Sequence, residues 1–290
     1  MKPDHAILVP DDAPVAGNAQ QTGLPMAEAR RDAASLSRFA VLWRGLLGLG
    51  VITLLALLYL AAASLLALML VRVGGDLIDG IDPFLAEGQR PRLFPRALAM
   101  RELAVDVVRQ VILAVLVIGT VILRDRVRWR ETLAIERVRP PGLRAGHLLA
   151  ILLPWPFLHI LWVNGVAEAF TTPFGRHVRL APGMPVPAIV AWLIYAAILA
   201  PLAEELLMRG EIFAKAKAYM APAAAVIATA FLFAFAHVSQ AGIARPVSLL
   251  PLALLLGWLR WRTGRLWPCI VLHAWSNMAV VAYVLWPEAR

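Results

Sequence analysis

The apolar residues of this chain come in long blocks, with the charges between them. From Gly45 to Val71, 27 residues pass without a charge. About 20 apolar residues in a helix cross a bilayer, so this block predicts a transmembrane helix. Six further blocks follow, over about 103–123, 147–167, 188–208, 221–241, 247–260 and 266–286. Of the seven, 247–260 is short and predicts a tilted or re-entrant segment. In hydrocarbon every backbone polar group must be satisfied within the segment, and helices do that. The pattern therefore predicts an all-α protein, a polytopic transmembrane bundle of about seven helices (six to eight).

The polar stretches divide the chain. Residues 1–37 have no apolar core after a basic start, so they are not a secretory signal; they predict a flexible polar N-terminal tail. Residues 38–187 hold the first membrane helices and their loops. Residues 188–286 hold the blocks that carry unusual polar residues. Between blocks, 73–101 mixes Gly, Pro and charge, and "TTPFGRHVRLAPGMPVP" (171–187) has four prolines; both read as loops.

Composition agrees with a membrane protein. Hydrophobic residues make up 60% of the 290, against about 45–50% in soluble domains. The net charge of +9 would suggest a nucleic-acid partner in a soluble protein. Here Lys and Arg gather at the ends of apolar blocks, and no nucleic-acid motif is present. With the N-terminus in the cytoplasm, 18 of the 28 basic residues fall on the cytoplasmic side and 9 on the other, with Arg109 inside a block. That bias orients the chain N-terminus inward. The single cysteine, Cys269, lies in an apolar block and supports neither an intrachain disulfide nor a cysteine metal cage.

Ionisable groups at membrane depth are costly and point to function. Three blocks hold them. In "LAEELLMRGEIF" (202–213), Glu205 and Arg209 are four apart and share a helix face. Glu204 points about 100° away, so Arg209 is less available to it, which suits a general base. In "FLFAFAHVSQ" (231–240), His237 stands four residues after Phe233. In "VLHAWSNMAV" (272–281), His273 and Asn277 are four apart, and both can donate toward one point. Two fixed donors in a dry site suit an oxyanion. Each stretch alone has a structural alternative: a helix-end ion pair, a packed histidine, an interhelical hydrogen bond. Asp106 and Arg109, three apart, can pair within the second block.

Together the three stretches resemble the CAAX protease and bacteriocin-processing (CPBP, Abi-type) family of intramembrane endopeptidases, which includes the CAAX prenyl proteases. The family motifs EExxxR, FxxxH and HxxxN appear in order as Glu204-Glu205…Arg209, Phe233…His237 and His273…Asn277. The resemblance covers about 190–285 and marks 188–286 as a catalytic core. It implies hydrolysis of a peptide bond in a membrane-associated protein or peptide. In that reading Glu204 and His237 activate water, His273 and Asn277 hold the oxyanion, and Glu205 and Arg209 support the site. It implies no cofactor; the metal alternative is a zinc held by Glu204, His237 and His273. A different class of reading is a non-catalytic membrane scaffold or bacteriocin-immunity-type protein that keeps the polar core. The expected setting is the plasma (inner) membrane of a bacterium, with lipid and a peptide substrate as partners. Helix boundaries as read place Glu204 and His273 toward the cytoplasmic half and His237 toward the outer half, unless Leu206–Met220 continues the fourth helix.

Overall fold

A computed structural model describes residues 23–136, 143–172, 184–238 and 242–285. Residues 1–22 of the expected tail and most of the 171–187 loop lie outside the described residues. Two compact units are distinguished, Met1–Trp43 and Arg44–Arg290. In the first, the backbone is helical from Gly23 onward.

The described residues form helices and no strand. Helix α1 spans Gly23–Ile78 and α2 spans Pro95–Arg124; a short α3 covers Trp129–Thr132. Helices α4 (Ala145–Leu152) and α5 (Trp155–Ala169) meet at Pro154, which begins α5. Helix α6 (Val186–Ile194), a π-helical turn at Tyr195–Leu199, α7 (Ala200–Glu205), a second π-helical stretch at Leu206–Ile212, and α8 (Phe213–Tyr219) form one continuous rod. Helices α9 (Pro222–Phe235), α10 (Ala244–Thr263) and α11 (Trp267–Leu285) complete the bundle. Four stretches are long and apolar enough to cross a membrane: Phe39–Ile78, Pro95–Asp125, Ala145–Ala169 and Val186–Tyr219.

The bundle is built as lipid demands. Exposed positions on α1 include Leu54, Leu57, Leu58 and Leu65, while Ile52, Ala56, Tyr59 and Ala63 are buried. These spacings of three and four keep one helix face inward. They pack with Leu113, Val117 and Val121 of α2. Small residues let backbones approach where no water drives association. Gly257 of α10 is such a point: a Cβ there would meet Val226 Cγ1 of α9 at 3.1 Å. A backbone carbonyl freed by a proline is satisfied from a neighbouring helix. Pro251 has no N–H for the Val247 carbonyl one turn back, and the Trp162 indole donates to that carbonyl at 3.1 Å.

Four expected boundaries change. The fourth helix does not stop at 208 but runs to Tyr219, as the alternative of a continuing helix anticipates. The fifth is Pro222–Phe235, shorter than 221–241. The sixth is not short; α10 is a 20-residue helix. Its Arg245 and Arg260 lie inside the helix, where a charge-bounded window places ends. The loop expected over 73–101 narrows, since α1 reaches Ile78 and α2 begins at Pro95.

Candidate functional site

The α8–α9 hairpin sets the depth of the site. Its turn is at Met220–Ala221. Glu204 is 15 residues before Tyr219 and His237 is 15 residues after Pro222. At 1.5 Å per residue both lie about 22 Å from the turn. The two side chains therefore share a level, and the expected mismatch in depth disappears. That level is mid-bundle. Gln110, which donates to Glu204 Oε1 at 3.2 Å, is 15 residues from Pro95 and 14 from Arg124, the two ends of α2. Glu204 and His237 therefore do not fall at opposite ends of the bundle.

The paired carboxylates divide their contacts. Arg209 Nη1 donates to Glu205 Oε1 at 2.9 Å, and both side chains are fully buried. His273 Nδ1 meets the same Glu205 oxygen at 2.9 Å. A carboxylate can only accept here, so Nδ1 carries the proton and Nε2 is turned outward. Arg209 Nη2 also donates to the Ala253 carbonyl of α10 at 2.9 Å. Glu204 lies outside this buried trio. Its Oε2 faces His237 Nε2 at 3.8 Å and His273 Nε2 at 3.9 Å. Its side chain is 19% exposed, against none for Glu205.

His237 is aimed by the end of α9. The last carbonyls of a helix have no intrahelical donor. Ala236, His237 and Val238 return their N–H groups to Leu232, Ala234 and Phe235, leaving the Phe233 carbonyl. His237 Nδ1 takes it at 2.8 Å, which leaves Nε2 for the Glu204 side. The Phe233 ring does further work. Arg209 lies over it at 4.7 Å, His237 tilts against it at 4.7 Å, and His273 meets it edge-on at 5.6 Å.

Asn277 is aimed by a proline. In the π-helical turn, the Ala200 N–H bonds the Tyr195 carbonyl five residues back. The next residue, Pro201, has no N–H to offer Ala196. Asn277 Nδ2 donates to the Ala196 carbonyl at 2.9 Å, and its second N–H remains. Asn277 and Glu204 line one cavity of about 330 Å³, in the size range of small-ligand pockets. The structure thus groups Glu204, His237 and His273 directly, places Asn277 on the same cavity, and puts Glu205 and Arg209 behind His273.

Among the described residues, no group of three or more His, Cys, Asp or Glu is arranged to hold a metal ion. The nearest set is wide. Ligands on a tetrahedral zinc at about 2.0–2.1 Å sit roughly 3.4 Å apart, whereas Glu204 Oε2 is 3.8 and 3.9 Å from the two Nε2 atoms.

Several cavity residues are absent from the sequence reading. Tyr195, His159 and Arg245 are among them; Gln110, also absent from that reading, lies against Glu204 without lining the cavity. Arg245 Nε is buried without a hydrogen-bond partner, and Arg245 has no ion pair among the described residues. Arg109, by contrast, pairs with Asp106 at 2.8 Å, as their spacing predicts. A polar residue inside an apolar block is the signal that was available for Gln110 and His159. A second ion pair was also missed: the exposed Arg124 forks onto both Glu211 oxygens at 2.6 and 2.9 Å, and Glu211 is fully buried.

Residues 186–279 match a family model described as Rce1-like, type II CAAX prenyl endopeptidase. The matched stretch is about a third of the chain and contains every member of the three motifs. No curated protein and no solved structure matches the chain.

Proposed function

We propose, from the premise that this integral membrane protein is a CAAX-type endopeptidase at the level of its family, that it cleaves its substrate with a water activated by Glu204 and His237. The observation that carries the reading is the division of the carboxylates. Arg209 and His273 engage Glu205, while Glu204 stands free of Arg209 with two imidazole Nε2 atoms less than 4 Å away. Those separations are too long for direct hydrogen bonds, and water bridges polar groups at such distances.

In the reaction, the water oxygen attacks the peptide carbonyl carbon and Glu204 accepts the water proton. The carbonyl oxygen becomes an oxyanion, to which Asn277 donates its remaining N–H. His273 donates through Nε2 when it is doubly protonated, a cation that the Glu205 carboxylate stabilises through Nδ1. The proton then passes from Glu204 to the leaving nitrogen, the C–N bond breaks, and a carboxylate and an amine result. Glu205, Arg209 and Phe233 position His273 and His237. The substrate is a membrane-associated protein or peptide that reaches mid-bundle depth. The site needs no metal in this scheme. The basic ends of the helices face the cytoplasm of a bacterial inner membrane.

The test is cleavage of fluorogenic CAAX-type peptides, prenylated and unprenylated, by purified protein in detergent. Glu204→Ala and His237→Ala each abolish turnover while leaving the melting temperature near wild type. Full activity in both variants would sink the assignment.

A further inference from the structure

A second cavity, of about 340 Å³, lies at the opposite end of the α8–α9 hairpin from the site. It is lined by the ends of several elements: α2 and α3, α8, the first residue of α9, and the end of α10. Its charge is lopsided. Arg124, Arg128, Lys215, Lys217 and Arg260 face two acids, Asp125 and Glu131.

Most of these charges are already used. Arg124 is spent on Glu211 and Asp125, and Arg128 on Glu131. Lys217 lies over the Phe213 ring at 5.7 Å. Arg260 is different. It is only 4% exposed, yet it lines the cavity and has no carboxylate within ion-pair distance among the described residues. Its Nε donates to the Arg209 carbonyl at 2.9 Å and its guanidinium covers Phe213 at 5.5 Å. Neither of its Nη atoms has a hydrogen-bond partner among the described residues, and four N–H groups are therefore left. A guanidinium so little exposed to water gains from a counter-charge, and an anion in the cavity would supply one.

Two neighbours point the same way. Lys215 also lines the cavity and has no ion pair within 4 Å among the described residues. The N-terminus of the 14-residue α9 is at the wall through Pro222, and a helix N-terminus carries partial positive charge. A planar guanidinium matches a phosphate bidentately, while a lysine adds a point charge. The cavity sits where helices end in basic residues, the level of lipid headgroups.

We propose that this cavity is a phosphate-binding site held by Arg260 and Lys215, separate from the peptide-cleaving site and independent of its assignment. The phosphate belongs either to an anionic lipid headgroup or to a soluble phosphoryl compound. Native mass spectrometry of the full chain separates the two. Protein purified from vesicles of phosphatidylglycerol and phosphatidylcholine is scored for retained phospholipid, and delipidated protein is scored for thermal stabilisation by inorganic phosphate. Wild type retains about one phosphatidylglycerol and rejects phosphatidylcholine. Lys215→Ala weakens retention about five-fold or more, the loss of roughly one basic contact at a headgroup. Arg126→Ala, an exposed arginine that does not line the cavity, retains lipid like wild type. Stabilisation by inorganic phosphate without lipid retention, lost in Lys215→Ala, assigns the soluble source. Arg260→Gln tests the central contact, and Lys215→Ala covers the case in which loss of the Arg209 carbonyl bond prevents folding. If wild type binds neither probe, or if Lys215→Ala and Arg126→Ala behave alike, the site does not exist.

Discussion

The trio of Glu205, Arg209 and His273 is held together by charge rather than by packing alone, and a double-mutant cycle measures that. Glu205 and Arg209 are both fully buried in the bundle interior, 2.9 Å apart. Glu205→Gln leaves the Arg209 cation buried with only the Ala253 carbonyl and the Phe233 ring. Arg209→Met leaves the Glu205 anion with only the His273 N–H. Removing one partner of a buried pair costs about 3–5 kcal/mol, so each single variant should lose that much. The double variant buries no charge at this position and keeps near-native volume. Its loss should fall short of the summed losses by at least about 2 kcal/mol, well beyond the roughly 0.3–0.5 kcal/mol within which independent sites add. Unfolding free energies from denaturing-detergent titration of micellar protein provide the numbers. Additivity within about 0.5 kcal/mol would refute the charge coupling and reduce the Glu205–Arg209 contact to packing.

Three other outcomes follow from the geometry. Asn277→Ala removes one oxyanion donor and should lower kcat about 100–1000-fold with KM little changed; steady-state kinetics that keep kcat within three-fold would reject that role. Dialysis against a strong chelator should leave activity intact, with less than stoichiometric zinc by elemental analysis; one zinc per chain, and loss of activity on its removal, would replace the water-activation scheme with a metal site. Gly257→Ala puts a Cβ 3.1 Å from Val226 Cγ1 and should cost about 1–3 kcal/mol by overpacking. Adding Val226→Ala should restore the melting temperature, and no rescue would mean that the α9–α10 contact is not what Gly257 serves.

The local part of the site was readable from spacing, because helical periodicity alone decides it. Glu205 and Arg209 pair, Glu204 turns away, and Asp106 pairs with Arg109. Each of the seven apolar blocks overlaps a helix among the described residues, and four stretches are long and apolar enough to span. What spacing cannot supply is which helix lies across from which. Gln110 reaches Glu204 over 94 positions of sequence. The Glu205–His273 contact spans 68, and it fixes which nitrogen His273 turns toward Glu204. Pro201 and Pro251 lie inside the fourth and sixth apolar blocks, where sequence shows only that each lacks an N–H. In three dimensions each frees a carbonyl that a side chain on another helix fills, Asn277 in one case and Trp162 in the other.

The depth of the site was misread for a reason that is itself physical. A hydropathy window ends a membrane helix at its first charges, which puts Glu204, Arg209 and Glu211 at the boundary of the fourth block. Buried charges that neutralise one another do not mark a boundary. Glu205 is neutralised by the buried Arg209, and the buried Glu211 by the more exposed Arg124, and the rod continues to Tyr219. Once it does, the turn at Met220–Ala221 becomes the reference point and equal counts of residues lead back to Glu204 and on to His237. The ion pairs that look like a helix end are what let the helix pass through the bundle interior and bring the two side chains to one level.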